Sequence, residues 1–172
     1  MNEALKTNNF ADYFKYYIGL TEGNDDVIKS LEDAHQRTNE LLDLTTEEQG
    51  NYRYAEGKWT IKELLVHLID MERIFCNRAL RISRNDKTDL PGYDHDEYVK
   101  YSDANDRSLC DICKEYNLVR QGTIALFNSF NAEQLKRDGT ANNNQLTVLS
   151  IGFIIAGHET HHVNVLEGKY LN

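Results

Sequence analysis

GKWTIKELLVHLIDMERIF, residues 57–75, contains the clearest helix start in the chain. Thr60 is a good N-cap, and Glu63 three positions later can return the bond to the cap's own amide, which makes a capping box. Trp59 and Leu64 stand where a hydrophobic staple is expected. From there the apolar residues Ile61, Leu64, Leu65, Leu68, Met71, Phe75, Ala79 and Ile82 repeat at three- and four-residue steps, the signature of one helix face. This helix should end near Arg84.

The same periodicity recurs on both sides. Upstream, Phe10, Tyr13, Phe14, Tyr17 and Ile18 predict a short helix that Asn9 can cap, and Gly23 interrupts the chain after it. A first long helix is expected from about Asn24, with Asp25 and Asp26 in its positive first turn. Its stripe is Val27, Ile28, Leu31, Ala34, Thr38, Leu41 and Leu42, and it fades near Thr45. Downstream, a connection from Asn85 to Asp106 contains PGYDHDEY. A third long helix carries Leu109, Ile112, Cys113, Tyr116, Ile124, Phe127 and Phe130. Asn131 and Gln134 can cap a short helix, Gly139 and Asn142 to Asn144 read as loop, and a last helix runs from about Thr147 towards Tyr170.

Four amphipathic helices with no competing strand predict an all-α four-helix bundle in one domain, residues 1–172. A single proline in 172 residues agrees with long uninterrupted helices. The connection before the third helix is long enough to travel back along the bundle, so the second and third helices can run parallel, an up-down-down-up order.

Composition narrows the function. Apolar residues make up 40% and charged residues 27%, an ordinary globular balance. A net charge of -9 repels a phosphate backbone, so nucleic acid is not an expected partner. No stretch is apolar and long enough for a bilayer span, and the N-terminus has no basic and apolar export signal, so a cytoplasmic location is expected. The three cysteines, Cys76, Cys110 and Cys113, then read as reduced thiols, and one CxxC pair does not make a zinc site.

Three of the six histidines lie in GHETHH, residues 157–162. On a helical wheel Ile151, Ile154, Ile155 and Val165 all fall within about 60° of His158, and so does His162. Two imidazoles one turn apart in an isoleucine-rich face are costly to bury unless their nitrogens find partners, and a shared metal ion is one such partner. HETHH also matches a protease HExxH pattern, with Glu159 as base. That reading needs a ligand downstream, and Glu167, five positions on along the same helix, cannot fold back to supply it. The third ligand must therefore come from upstream. His67 is the best candidate: it lies at the edge of the apolar face near the start of the second helix, level with the end of an antiparallel last helix. His161 is an alternative ligand, a group supporting the ligands, or an exposed histidine favoured by the helix C-terminus. His35 and His95 read as ordinary surface histidines.

The segments YYIGLTEGN, GKWTIKELLVHLIDMERIF, LPGYDHDEYV, DGTANNN and AGHETHHVNVLEGKYL, in this order and spacing, resemble the DinB-like superfamily, the DinB/YfiT-like metalloenzymes. The resemblance implies an up-down-down-up bundle, often a homodimer, with zinc or nickel held by three histidines. The family's histidines fall on His67, His158 and His162. It also implies small-molecule chemistry: hydrolysis, or transfer and isomerisation using a low-molecular-weight thiol cosubstrate.

Three neutral imidazoles leave a divalent ion with an open position, at which either water or a thiol loses its proton more easily. The alternative to an enzyme is a non-catalytic metal-binding interaction module, which would have a saturated or fully packed site. Around the ligands, Asp70 can orient His67, act as a base, or simply be solvated or paired with Arg73, and Glu63 is explained by the capping box. Glu159, off the centre of the face, is expected at a helix interface or behind the ligands. The PGYDHDEY loop is a candidate lid, with Tyr93 and Asp94 as candidate substrate contacts.

Overall fold

The computed structural model describes residues 11–171, so Asn9 and Phe10 of the expected first helix lie outside the described residues. The short helix α1 spans Asp12–Gly19. The four long helices are α2 (Val27–Leu42), α3 (Ile61–Ser83), α5 (Leu109–Asn128) and α7 (Val148–Val165). Shorter helices α4 (His95–Lys100) and α6 (Ala132–Lys136) sit in the connections, and a π-helical turn, Leu166–Tyr170, continues α7.

Helix starts follow side-chain chemistry. The Thr60 hydroxyl accepts from the Glu63 amide at 3.1 Å and the Glu63 carboxylate from the Thr60 amide at 2.7 Å, closing the capping box. Asn131 and Gln134 form the expected second box. The first long helix begins later than its acidic run suggests. Asp26 is its cap rather than part of the first turn, because its carboxylate takes the amides of Ile28 and Lys29.

Cross-helix contacts fix the directions. Arg73 meets Glu115 and Cys76 meets Thr123, so α3 and α5 ascend together. Val27 lies against Gly152 and Thr38 meets Glu159, so α2 and α7 do the same. His67 meets His158 while Trp59, upstream of α3, meets Tyr170, so α3 and α7 are antiparallel. The order is up-down-down-up.

The expectation of no strand is corrected. Residues Asp138–Ala141 (β1) and Asn144–Thr147 (β2) form an antiparallel hairpin just before α7. Asn142 and Asn143, with φ of 49° and 60°, make its two-residue turn, and asparagine tolerates that left-handed backbone. Gly139 lets the hairpin press on α3, since a Cβ there would stand 2.7 Å from Ile82 Cγ1. Leu90 adds a single bridge to Ala141, which pins the start of the PGYDHDEY segment.

The apolar core has two parts, one around Leu31, Phe75, Ile151 and Phe153, the other around Leu65, Ile69, Ile112 and Leu166. Between them lies a buried polar cluster. Arg120, 1% exposed, donates to both oxygens of Glu72 at 2.8 Å, to the Leu31 carbonyl at 2.8 Å and to Glu159. The hydroxyls of Tyr116 and Thr38 donate to Glu159 as well. One guanidinium thus ties all four long helices, and Glu159 lies at the helix interface expected of it.

Helix α1 packs on α7 where α7 has a glycine. A Cβ on Gly157 would come within 1.9 Å of the Tyr17 carbonyl oxygen. Gly157→Ala should therefore push α1 off α7 and cost about 1–3 kcal/mol or more. Proteolytic cleavage between α1 and α2 should accelerate in the variant.

Candidate metal centre

The capping box sets the phase of α3, which puts His67 on the inner side, 6% exposed, between Leu64 and Met71. On α7, the isoleucine face buries His158 to the same extent and carries His162 one turn on. The antiparallel pairing brings the three rings to one level. The Nε2 atom of His158 lies 3.1 Å from Nε2 of His67 and 3.1 Å from Nε2 of His162. Taking one ligand atom from each residue, the three lie within 4.8 Å of one another. His67, His158 and His162 are the only such group among the described residues.

Hydrogen bonding alone leaves this arrangement incomplete. A neutral imidazole has one N–H and one lone pair. Nε2 of His158 faces two other ring nitrogens and can donate to only one of them. Its Nδ1 is buried with no partner among the described residues. Charging the rings is no remedy. Burial holds His67 down at about 4, with His95 adding to the effect. Burial and then the neighbouring histidines hold His158 and His162 well below the ordinary imidazole value. All three are therefore neutral, the form that ligates.

The donor set fits a divalent ion. With metal–nitrogen distances of about 2.0–2.1 Å, bond angles between about 90° and 109° give N···N separations of about 2.9–3.4 Å. The two separations from His158 fall in that range, and the third pair, His67 and His162, lies within 4.8 Å. His158 Nδ1 is then the proton-bearing nitrogen.

The surroundings include residues that periodicity alone did not single out. Trp59, expected to staple the start of α3, brings its ring within 4.8 Å of the His67 ring and lies 6.5 Å from that of His162, nearly parallel to it. His95, expected on the open surface, is exposed but lies against His67 at 5.7 Å and Trp59 at 6.0 Å. The six-residue α4 holds it there. Asp94 caps that helix by accepting from the amides of Asp96 and Glu97, so its carboxylate is committed to the turn. His161 pairs through Nδ1 with the Tyr16 hydroxyl at 3.2 Å; its ring lies 5.0 Å from that of His162, but it is not one of the group of three. His35 is half-buried and bonded to Asn117. Asp70 is half-buried, and burial raises its carboxyl, while Arg73 bonds Glu115 instead.

The three histidines open on a cavity of about 520 Å³. Tyr13, Tyr17, Met71, Phe75, Arg78 and Tyr93 are also among its walls, with His95, His161 and Asn142 of the hairpin turn. Tyr93 from the PGYDHDEY segment is thus a wall residue, as expected of a substrate contact. No signal in one sequence marks Trp59 or His95. The return of the connection across the start of α3 brings His95 to the rings, and Trp59 stands there already as the residue before the Thr60 cap.

The cysteines stand apart from this site. Burial pushes the thiols of Cys76 and Cys113 up to about 11, and Cys110 is exposed. With a chromogenic disulfide at pH 8, Cys110 should react first, and Cys76 and Cys113 on the order of a hundredfold more slowly, because few of their molecules are thiolate. Unfolding should remove the difference.

No helix among the described residues is long and apolar enough to cross a membrane. The chain is 23% identical over 137 residues to a protein of Oceanobacillus iheyensis named "putative metal-dependent hydrolase", a match covering 79% of each chain. Its fold is similar to that of YfiT from Bacillus subtilis, described as a probable metal-dependent hydrolase with an unusual four-helix bundle topology. That similarity has a TM-score of 0.72 at 18% identity and covers 84% of this chain and 83% of YfiT. The sequence pattern of the DinB superfamily matches residues 30–166, which takes in α3, α5, α7, all but the first three residues of α2, and all three converging histidines. With most of its length inside that match, this chain belongs to the DinB superfamily.

Proposed function

We propose that this protein is an enzyme in which His67, His158 and His162 hold a divalent ion, zinc or nickel by donor chemistry, and a small molecule reacts in the adjoining cavity. The observation that carries this reading is the convergence of three neutral Nε2 atoms at the wall of a 520 Å³ cavity. A packed, saturated site would favour a structural role. Open space beside the ligands favours chemistry. When bound, such an ion acidifies a water or a thiol placed on its open position and makes it a nucleophile at neutral pH. The names of the similar proteins favour water and hydrolysis, and a thiol cosubstrate is compatible with the same ligands.

The chain's own residues have definite tasks in this scheme. Trp59 packs on His67 and shields it from solvent. His95, exposed beside His67, is placed to exchange a proton between the site and bulk water. The Arg120 cluster fixes Glu159 and therefore the turn of α7 that carries His158 and His162.

The test is a turnover screen on tag-free protein. Metal-free, zinc-loaded and nickel-loaded samples would be assayed against ester, amide and phosphoester panels, and against thiol and electrophile pairs. Activity that follows metal loading and is lost in His158→Ala supports the reading. Panels hydrolysed or alkylated at equal rates by metal-free and loaded protein would overturn it.

A further inference from the structure

Among the described residues Arg78 is the one Lys or Arg that lines the cavity, and no carboxylate among them pairs with it. It is 5% exposed, yet its hydrogen bond is to a backbone oxygen, that of Pro91 at 2.9 Å. Its guanidinium lies over the Phe75 ring at 4.8 Å and near the Tyr93 ring at 5.8 Å. The groups acting on its charge are the phenols of Tyr93 and Tyr13. Elsewhere in the interior the charges are matched: Arg120 has Glu72 and Glu159, and Lys62 has Glu47 at 2.6 Å. A guanidinium has five N–H donors, and a buried one without an anion is costly.

Position gives this cation a meaning. Eleven residues separate His67 from Arg78, close to three full turns, so both project from one face of α3. Their Cα atoms stand roughly 16 Å apart along the axis, with Met71 and Phe75 between them. The cavity is therefore polarised, with three metal-ligating nitrogens at one end, an apolar middle, and a cation with the amide of Asn142 and two phenols at the other.

We propose that Arg78 is a specificity residue that binds a carboxylate at the far end of an elongated substrate or thiol cosubstrate whose reacting group lies at the histidines. This deepens the reading above and rests on it for the identity of the reacting end. A carboxylate fits the planar donor fork of arginine, and the phenols can donate to the same oxygens.

The test uses ω-mercaptocarboxylates of three, six and eleven carbons and the mercaptoalcohols of the same lengths. Binding is read by the thiolate-to-metal absorption of cobalt-loaded protein and, independently, by calorimetry on metal-free protein. Wild type should favour a carboxylate over its matching alcohol by about tenfold or more at one preferred length, the worth of a charged hydrogen-bonded pair. Arg78→Gln should abolish the preference, and Arg78→Lys should retain part of it, with thermal melts confirming that both variants fold. Equal binding of acid and alcohol by wild type, or an unchanged preference in Arg78→Gln, overturns the proposal. A calorimetric preference that depends on Arg78, without any cobalt signal, would leave this assignment standing and count against the metal reading instead.

Discussion

Arg120→Ala should lower the free energy of unfolding by about 3–5 kcal/mol, read as a shift in the urea midpoint at unchanged slope. The substitution strands two carboxylates, Glu72 and Glu159, in a site where each is at most 2% exposed. The loss also releases the Leu31 carbonyl, so α2, α3, α5 and α7 all lose a shared partner. Arg120→Lys restores charge but not the two parallel bonds to Glu72, and should recover only part of the loss. A loss under about 1 kcal/mol in Arg120→Ala would mean that the cluster is solvated in solution, because surface pairs have that worth.

His158→Ala should have two effects of opposite sign. Metal affinity should fall by at least about a hundredfold, since only two of three ligands remain. Stability of the metal-free protein should stay level or rise slightly, because the change removes a buried ring whose Nδ1 has no partner, and the surrounding apolar residues lose only modest packing. Chelator competition gives the first effect and thermal melts of the metal-free form give the second. His67→Ala and His162→Ala should lose metal similarly. His161→Ala should keep it, since His161 is engaged with Tyr16.

Much of this architecture is legible in single residues. The capping box at Thr60 and Glu63 fixed the phase of α3 and so the inward direction of His67. The isoleucines around His158 showed that its helix face is buried, and the pair at 158 and 162 then demanded partners. The helix directions followed from the length of the Asn85 to Asp106 connection. The hairpin was missed for a local reason. Its strands are four residues each, and Asn-Asn beside glycine reads as loop in sequence although asparagine is among the residues a tight hairpin turn selects. Trp59, His95 and Arg78 are hidden for a different one. Their roles come from distances between segments far apart in the chain. Trp59 has a staple's position, His95 a short helix's, and Arg78 lies on a helix otherwise read for its apolar stripe. Nothing in local spacing separates an arginine that salt-bridges on the surface from one enclosed without an acid.

In the proposed site three imidazoles bind one ion through Nε2. X-ray absorption at the edge of the bound metal, on tag-free protein after exhaustive dialysis, addresses it directly. One equivalent of metal with three imidazole nitrogens at about 2.0–2.1 Å and a lighter, exchangeable oxygen or sulfur ligand is the expected result. Metal bound through fewer than two imidazoles, or a spectrum unchanged in His158→Ala, would rule out the three-imidazole site.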